Sequence, residues 1–288
     1  MDRRLFSTGL MACLSGLGTL AHASDKAELS QRFAEIEKAS GARLGISVLD
    51  TGSRIRAGHR EDERFPMCST FKFLAATAIL ARVDQQKERL DRRVVFSQRD
   101  LVDYSPVTEK HVGSAGMTVA EICEAAITRS DNTAGNLMLA SIGGPVGLTR
   151  YTRSLGDKRT RLDRTEAALN EARPGDPRDT TMPAAMLGDM QKILLGDALS
   201  QPSRAQLLRW LDANQTGGQR LRAGVPADWV VGDKTGSGDR GTANVIAILR
   251  PPGRGPILAA VYLTQSTASM EARNATIASV GAAFAKAA

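Results

Sequence analysis

The sequence is poor in the side chains that most often bind metals or relay protons. Its 288 residues include only 3 His and 3 Cys, and the aromatic share is 4%. His22 and Cys13 fall within the first 23 residues, and the others are His59, His111, Cys68 and Cys123. No His-x-His, His-x-x-x-His or Cys-x-x-Cys spacing occurs, which leaves almost nothing from which to build a zinc or iron–sulfur site. We therefore expect no metal or cofactor, and chemistry that runs on Ser, Lys and carboxylates.

Composition also narrows the class of protein and its partners. An apolar share of 42% excludes disorder, and 27 Gly and 11 Pro without a period exclude a collagen-like chain. Without residues 1–23 the chain carries a net charge of about +6. Its basic residues stand singly or in pairs without interleaved aromatics, so no nucleic-acid partner is expected.

The first 23 residues are organised like an export signal. Asp2-Arg3-Arg4 precede an uncharged, largely apolar stretch. Ala21-His22-Ala23 then places small residues at the third and first positions before a signal-peptide cleavage site. We expect cleavage after Ala23 and export to the periplasm of a Gram-negative bacterium, by the general secretory route or by the twin-arginine route. The apolar run is short for a membrane anchor, so no membrane contact is expected after cleavage. The mature chain is expected to be a monomer.

The order of predicted elements is a helix and two strands, then many helices, then three strands and a final helix. Helices are predicted over residues 24–40, 69–85, 118–128, 132–142, 145–155, 182–195, 202–214 and 269–286. Strands are predicted over residues 43–50, 54–59, 230–235, 242–249 and 257–264.

Short connections within each group of strands favour antiparallel pairing. We therefore predict an α+β fold in three layers, α/β/α, in which N- and C-terminal helices flank a five-stranded antiparallel sheet. Residues 24–64 and 215–288 would form this discontinuous sheet domain. Residues 65–214 would form an inserted all-α domain, with a ligand cleft between the two parts.

Ser69 and Lys72 lie three residues apart at the start of a predicted helix. This spacing puts the hydroxyl and the amine on one face, near the positive end of the helix dipole. If its own pKa is depressed, Lys72 could lower the cost of deprotonating Ser69. Taken alone, however, the default interpretation is a helix N-cap serine beside a solvated lysine.

Ser130-Asp131-Asn132 lies at the junction of two predicted helices. There the hydroxyl of Ser130 could relay a proton and the amide of Asn132 could hold a substrate amide. The alternative is again an N-cap, for which Ser, Asp and Asn are the preferred residue types.

Residues 234–237 follow on from a predicted strand and suit an anionic, extended substrate. Lys234 supplies positive charge, Thr235 and Ser237 supply hydroxyls, and Gly236 permits close backbone approach. Residues 236–241 also match the Gly-x-Gly-x-x-Gly pattern of dinucleotide binding. A β-rich run follows them rather than a helix, so we expect a hairpin turn and no nicotinamide cofactor.

Residues 161–181 are expected to form a compact loop. Arg164 near its start could pair with Asp179 near its end. Glu166 and Asn170 are four apart and would face the same way on a helical turn. A carboxylate and an amide so placed can hold one water for hydrolysing a covalent intermediate.

Together, Ser-x-x-Lys, Ser-Asp-Asn and Lys-Thr-Gly in this order are the signature of serine β-lactamases and penicillin-binding proteins. With the 161–170 loop, the chain resembles a class A serine β-lactamase. The resemblance extends to Phe65-Pro66, Tyr104-Ser105-Pro106-Val107, Gly143-Gly144-Pro145 and Gly232-Asp233-Lys234. It implies hydrolysis of the β-lactam amide of penicillins and cephalosporins through a serine acyl-enzyme, giving antibiotic resistance, with mechanism-based inhibitors as further ligands.

The resemblance also implies a role for each matching residue. The implied catalytic residues are Ser69, Lys72, Ser130, Glu166, Asn170 and Lys234. The backbone N–H groups of Ser69 and Ser237 would form the oxyanion hole. The implied substrate-binding residues are Tyr104, Asn132, Arg220, Thr235, Gly236 and Ser237. Lys72 and Glu166 are rival bases for acylation, and Arg222 competes with Arg220 for the substrate carboxylate.

The chain departs from the family pattern at three places. Ala167 stands where many relatives have proline. Cys123 and Cys68 match family cysteines, but their usual disulfide partners are replaced by Ala76 and Gly238. Two free thiols are therefore expected, and carbapenem hydrolysis is not supported.

Two other functions share the three motifs. A penicillin-binding transpeptidase or carboxypeptidase acylates in the same way but lacks the deacylating loop, so Glu166 and Asn170 count against it. A β-lactam sensor domain stays acylated and needs a membrane-spanning signalling segment, which the mature sequence does not contain.

Overall fold

The computed structural model describes residues 15–113 and 115–287. Residues 1–14 of the predicted export signal lie outside the described residues. In the described part the helices are α1 (Ser15–Ser40), α2 (Phe71–Asp84), α3 (Val119–Thr128), α4 (Asn132–Ile142), α5 (Gly144–Ser154), α6 (Pro183–Leu194), α7 (Gln201–Asp212), α8 (Leu221–Gly224) and α9 (Met270–Ala287). The strands are β1 (Arg43–Asp50), β2 (Arg56–His59), β3 (Phe65–Pro66), β4 (Arg93–Val94), β5 (Met117–Thr118), β6 (Thr180–Thr181), β7 (Val230–Gly238), β8 (Thr242–Arg250) and β9 (Ile257–Thr264).

The main sheet has five strands in the order β2-β1-β9-β8-β7. Every neighbouring pair is antiparallel, so the predicted α+β fold and its five-stranded antiparallel sheet are confirmed. The chain enters the sheet at β1 and β2, leaves it for α2 to α7, and returns at β7. Because β7 is an edge strand, its free side faces the helices.

Both faces of the sheet are covered, as β9 shows. Leu258 and Tyr262 point into a core shared with α2 and α6, whereas Ile257 and Val261 point into a second core shared with α1 and α9. This alternation follows from the two-residue period of a strand. Since both faces are apolar and buried, the sheet must lie between two layers of helices.

Helix α2 lies in the middle of the helical layer. All its residues from Phe71 to Leu80 are buried, as expected for a helix that is apolar on every side. Lys72 is the one charged residue in that stretch, and none of its surface is exposed. Its burial places an amine inside the protein next to the edge strand β7.

Element boundaries differ from the predictions at several points. α1 begins at Ser15 rather than at residue 24, because no proline interrupts residues 15–40 and the helix continues across the predicted cleavage point. β7 extends to Gly238 instead of ending at residue 235, since it pairs with β8 along its whole length. The two-residue strands β3 to β6 and the short α8 were not predicted, because two to four residues carry no periodicity.

Thr118 and Glu121 form a capping box at the start of α3. One smaller prediction is confirmed. The glycine-rich residues 236–241 form the hairpin that joins β7 to β8, with Ser237 opposite Ala243. No helix of the described ranges is both long enough and apolar enough to cross a membrane.

Candidate active site

A cleft of about 610 Å³ opens between β7 and the junction of α3 with α4. The predicted site residues that line it are Ser69, Tyr104, Ser130, Asn132, Asn170, Arg220, Thr235, Gly236 and Ser237. The other predicted site residues, Lys72, Lys234 and Glu166, are buried and contact this lining. The fold thus brings every residue of the predicted site to one cleft.

Ser69 lies in a single turn, Cys68–Thr70, that leads into α2. Its hydroxyl does not cap the helix. Instead, Ser69 Oγ accepts a hydrogen bond from Lys72 Nζ at 3.0 Å and donates one to Glu166 Oε1 at 3.2 Å. The N-cap interpretation is therefore wrong, and the hydroxyl lies between two groups that can each take its proton.

Lys72 Nζ lies among four oxygen atoms. It donates to Ser69 Oγ, to the Ser130 carbonyl at 2.8 Å and to Asn132 Oδ1 at 2.7 Å, and it lies 3.0 Å from Glu166 Oε1. Burial lowers the pKa of Lys72, and the charge of Glu166 acts in the opposite direction. Gly135 makes room for this side chain, because a Cβ there would lie 2.7 Å from Lys72 Cε.

Lys234, on β7, holds the second hydroxyl of the cleft. Its Nζ donates to Ser130 Oγ at 2.9 Å and to the Thr235 carbonyl at 2.7 Å. Burial, and then the positive charge of Lys72, lowers the pKa of Lys234 well below its usual value. Two amines with weakened affinity for protons therefore lie on either side of Ser130.

Asp131 is the N-cap of α4, and its carboxylate accepts from the Ala134 N–H at 2.8 Å. The capping role in the Ser-Asp-Asn motif thus belongs to its middle residue, which leaves Ser130 and Asn132 for the cleft. Ser130 has φ of +56°, a left-handed conformation that non-glycine residues adopt mainly at turns and functional sites. Tyr104 is 61% exposed at the rim, where its carbonyl accepts from the Asn132 N–H.

The loop 161–181 carries Glu166 into the site and is closed as predicted. Arg164 Nε donates to Asp179 Oδ2 at 2.6 Å, and the buried Asp179 also accepts from the N–H groups of Asp163 and Arg164. The Glu166–Ala167 peptide bond is cis.

Glu166 and Asn170 face each other in this loop. Asn170 Nδ2 donates to Glu166 Oε2 at 2.6 Å. Among the described residues, the buried Asn170 Oδ1 has no hydrogen-bond partner. A carboxylate oxygen and a free amide oxygen at this spot form a pair of acceptors suited to the two protons of one water molecule.

Arg220, rather than Arg222, reaches the cleft. Arg220 Nη2 donates to Ser237 Oγ at 2.8 Å and Nη1 donates to the Gly236 carbonyl at 2.8 Å. Arg222 instead pairs with the buried Asp233 at 2.7 Å. Burial lowers the pKa of Arg220 to about 10, so its guanidinium remains charged at neutral pH. Because the guanidinium donates to the Ser237 oxygen, the Ser237 hydroxyl proton is free to point towards a substrate.

Gly236 allows β7 to lie against the turn that carries Ser69. A Cβ at Gly236 would lie 2.9 Å from the Met67 carbonyl oxygen and 3.2 Å from the Ser69 nitrogen. The close approach that was predicted for a substrate is therefore also an approach to the nucleophile's own backbone. It brings the backbones of Gly236 and Ser69 together at one end of the cleft.

Comparison with known proteins agrees with this geometry. A model of the beta-lactamase enzyme family matches residues 28–288. The chain is 50% identical over 287 residues to the beta-lactamase AST-1 of Nocardia asteroides, covering 96% of this chain and 92% of the relative. It is 46% identical over 275 residues to the beta-lactamase CTX-M-8 of Citrobacter amalonaticus, covering 95% of this chain and 93% of the relative. An ancestral class A beta-lactamase structure, GNCA, superposes with a TM-score of 0.89 at 64% identity, covering 90% of this chain and 100% of that one.

The chain belongs to the class A serine β-lactamases. The family resemblance seen in the sequence is confirmed.

Asn136 is a residue of this β-lactamase that the sequence interpretation missed. Its Oδ1 accepts from the Glu166 N–H at 2.9 Å, and its Nδ2 donates to the Glu166 carbonyl at 3.1 Å. Asn136 follows Asn132 by one helical turn, so both amides lie on the face of α4 that borders the site. That spacing was the available signal.

Two further asparagines support the cleft from behind β7. Asn244 Nδ2 donates to the Pro66 and Met67 carbonyls and so holds the segment before Ser69 against β8. Asn274 Oδ1 accepts from Arg220 Nε at 3.0 Å, which orients the guanidinium. The residues around Asn244 and Asn274 in the sequence do not predict these contacts, because the residues that each contact joins lie at least 54 positions apart in the chain.

The side chains of His59, Cys68 and Cys123 make none of the hydrogen bonds that join the cleft residues. His59 Nε2 lies 2.6 Å from Glu37 Oε2, next to α1. Cys68 and Cys123 are buried free thiols, as predicted, and burial raises the pKa of both. Within residues 15–113 and 115–287 no three His, Cys, Asp or Glu side chains are grouped to hold a metal ion.

Proposed function

We propose that this class A β-lactamase hydrolyses the β-lactam amide of penicillins and cephalosporins through an acyl-enzyme on Ser69 and thereby gives antibiotic resistance. One observation carries the proposal. Glu166 lies within hydrogen-bond reach of Ser69 and is paired with Asn170. A transpeptidase passes the acyl group to an amine and a sensor domain keeps it, whereas hydrolysis needs a base that activates water.

Acylation begins with attack of Ser69 Oγ on the β-lactam carbonyl carbon. The proton of Ser69 passes to Lys72 or to Glu166, whose nearest atoms lie 3.0 and 3.2 Å from Ser69 Oγ. Both bases have suitable geometry, so both remain candidates. The backbone N–H groups of Ser69 and Ser237 stabilise the developing oxyanion.

The ring nitrogen needs a proton when the amide bond breaks. Ser130 Oγ supplies it and is itself held by Lys234. Lys234 Nζ then restores the proton that Ser130 gives up, while the proton taken from Ser69 stays on Lys72 or Glu166 until deacylation.

Substrate recognition uses the opposite ends of the cleft. Lys234, Thr235 and Ser237 bind the carboxylate that penicillins and cephalosporins share, and Arg220 supports it through Ser237. Asn132 binds the acylamide side chain, and Tyr104 forms the cleft wall on that side. Mechanism-based β-lactam inhibitors would occupy the same positions.

Deacylation is assigned to Glu166 and Asn170. Glu166 takes a proton from a water held between its carboxylate and Asn170 Oδ1, and the resulting hydroxide attacks the ester carbonyl. The ester bond breaks, and Ser69 Oγ recovers a proton through Lys72 or Glu166. The product is the ring-opened acid.

We further propose that the enzyme is exported to the periplasm, loses residues 1–23 and acts as a monomer without cofactor. The organisation of residues 1–23 supports export. Mass measurement of the mature protein from a Gram-negative host would test the cleavage point.

The central test is incubation with a penicillin, followed over time by intact-mass measurement. We expect a transient adduct, return to the mass of the free protein, and accumulation of the ring-opened product. Ser69→Ala is the matched control and should form neither adduct nor product. A stable adduct without turnover would instead support the transpeptidase or sensor alternative.

A further inference from the structure

A second cavity, of about 310 Å³, lies between the loop 161–181 and the end of the sheet. It shares no lining residue with the catalytic cleft. Its walls come from the loop, from β1, from residues 63–66 and from the end of β9. Five arginines line it: Arg43, Arg64, Arg164, Arg173 and Arg178.

Four of these arginines are neutralised by carboxylates. The ion pairs are Arg43–Glu63, Arg164–Asp179, Arg164–Glu171, Arg173–Glu171 and Arg178–Asp176, at 2.6 to 3.1 Å. The arginines of the cavity wall therefore form ion pairs with carboxylates, with the exception of Arg64.

Arg64 has no carboxylate partner among the described residues. Its Nη1 donates to the Arg159 carbonyl at 2.8 Å and to Thr180 Oγ1 at 2.9 Å, and both acceptors are uncharged. Burial, and then the positive charges of Arg161 and Arg159, lowers the pKa of Arg64. The charge of Asp157 acts in the opposite direction, but Asp157 makes no ion pair with Arg64 in the described part of the chain, so the guanidinium keeps unused capacity for an anion.

We propose that this cavity binds a small oxyanion, with Arg64 as its principal contact. The planar guanidinium matches the oxygen geometry of phosphates and carboxylates. The cavity volume is at the lower end of the range of small-molecule sites, which limits the ligand to the size of a phosphate or a diphosphate. The anion would bridge residues 63–66 and the loop 161–181, which already pair through β3 and β6 and through the Arg64–Thr180 hydrogen bond.

A ligand that binds only the folded state raises stability in proportion to the logarithm of its concentration over Kd. We would therefore titrate the enzyme with inorganic pyrophosphate at constant ionic strength, with sodium chloride as the reference. Isothermal calorimetry should give one site, and the thermal midpoint should rise with pyrophosphate concentration.

Variants locate the site. Arg64→Gln should raise the Kd for pyrophosphate at least tenfold. Arg99→Gln, which removes an exposed arginine far from the cavity, should leave the Kd unchanged. If Arg64→Gln does not fold, Arg173→Gln is the substitute, because it removes an exposed cation of the lining and should raise the Kd about threefold.

The catalytic cleft also carries cations, so Arg220→Gln is the discriminating comparison. We expect its Kd to equal that of the parent. Absence of saturable binding to the parent would overturn the proposal, as would loss of binding in Arg220→Gln with retention in Arg64→Gln. Equal weakening by Arg99→Gln would also overturn it, because the effect would then reflect net charge alone.

Discussion

Lys72 Nζ lies 3.0 Å from Glu166 Oε1, and neither side chain has any exposed surface. The two residues are 94 positions apart in the chain, yet both contact the hydroxyl of Ser69. A buried ion pair contributes little net stability, but loss of one partner leaves an uncompensated charge. We therefore propose that Lys72 and Glu166 serve to transfer the Ser69 proton rather than to stabilise the fold.

Glu166→Ala should slow deacylation far more than acylation. The water loses its base, whereas Ser69 keeps Lys72 as an alternative base, so we expect kcat for a penicillin to fall by about 10²–10⁴-fold. Rapid mixing followed by intact-mass measurement should show that the acyl-enzyme accumulates. Turnover at the parent rate would refute the assignment of Glu166.

Asn136→Ala should impair the same step indirectly. It removes two hydrogen bonds to the backbone of Glu166, and we expect a loss of about 1–3 kcal/mol in unfolding free energy. Deacylation should slow more than acylation in single-turnover experiments. Ser141→Ala, which removes a hydrogen bond elsewhere on α4, should leave that ratio unchanged. A purely structural role for Asn136 would lower stability while the ratio of the two rates stayed the same.

Substitutions at Arg220 and Arg222 should affect substrate binding and protein stability separately. Arg220→Gln loses a charged support for the substrate carboxylate, and a cost of about 1.5–3 kcal/mol corresponds to a 10- to 150-fold lower kcat/KM. Arg222→Gln leaves Asp233 without its cation, so it should lower the thermal midpoint and change kcat/KM much less. Steady-state kinetics and thermal unfolding of both variants test this, and the reverse pattern would contradict it.

Asp189 should make stability fall as pH rises. Burial, and then the negative charge of Asp157, raises the pKa of Asp189 to about 9, with Lys192 and Arg153 acting weakly in the opposite direction. A side-chain hydrogen bond with Asp157 also raises the pKa of Asp189, and Asp157 in turn accepts hydrogen bonds from the N–H groups of Arg159 and Thr160.

The folded chain therefore holds a proton on Asp189 that the unfolded chain releases above its usual pKa. Relative to Asp189→Asn, the parent should lose up to about 1.4 kcal/mol of unfolding free energy for each pH unit between pH 5 and pH 9. Denaturant unfolding across this range measures the difference. Parallel curves for parent and variant would show that Asp189 does not titrate there.

Local sequence determined most of the secondary structure. β1, β9 and α4 begin and end at the predicted residues, because alternation, helical spacing and capping residues such as Asp131 act over short stretches. The order of strands and helices along the chain was also enough to predict one sheet flanked by the terminal helices. The order of the three motifs, together with the loop 161–170, was sufficient to indicate the family.

Other features depended on contacts between distant segments. No local pattern distinguishes Arg220 from Arg222, and only the packing of α8 against α9 decides which guanidinium meets Ser237 and which meets Asp233. The hydrogen bonds of Asn136 to Glu166 likewise join residues 30 positions apart.

The sequence by itself therefore determined the elements, the fold class and the chemical types at the cleft, because these follow from short-range periodicity and from the order of three motifs. The tertiary structure alone decided that Lys72, Lys234 and Glu166 are buried, and that Ser69 contacts two bases instead of capping a helix. Burial and charge proximity arise only when segments far apart in the chain pack together, and they set the pKa values on which the chemistry depends.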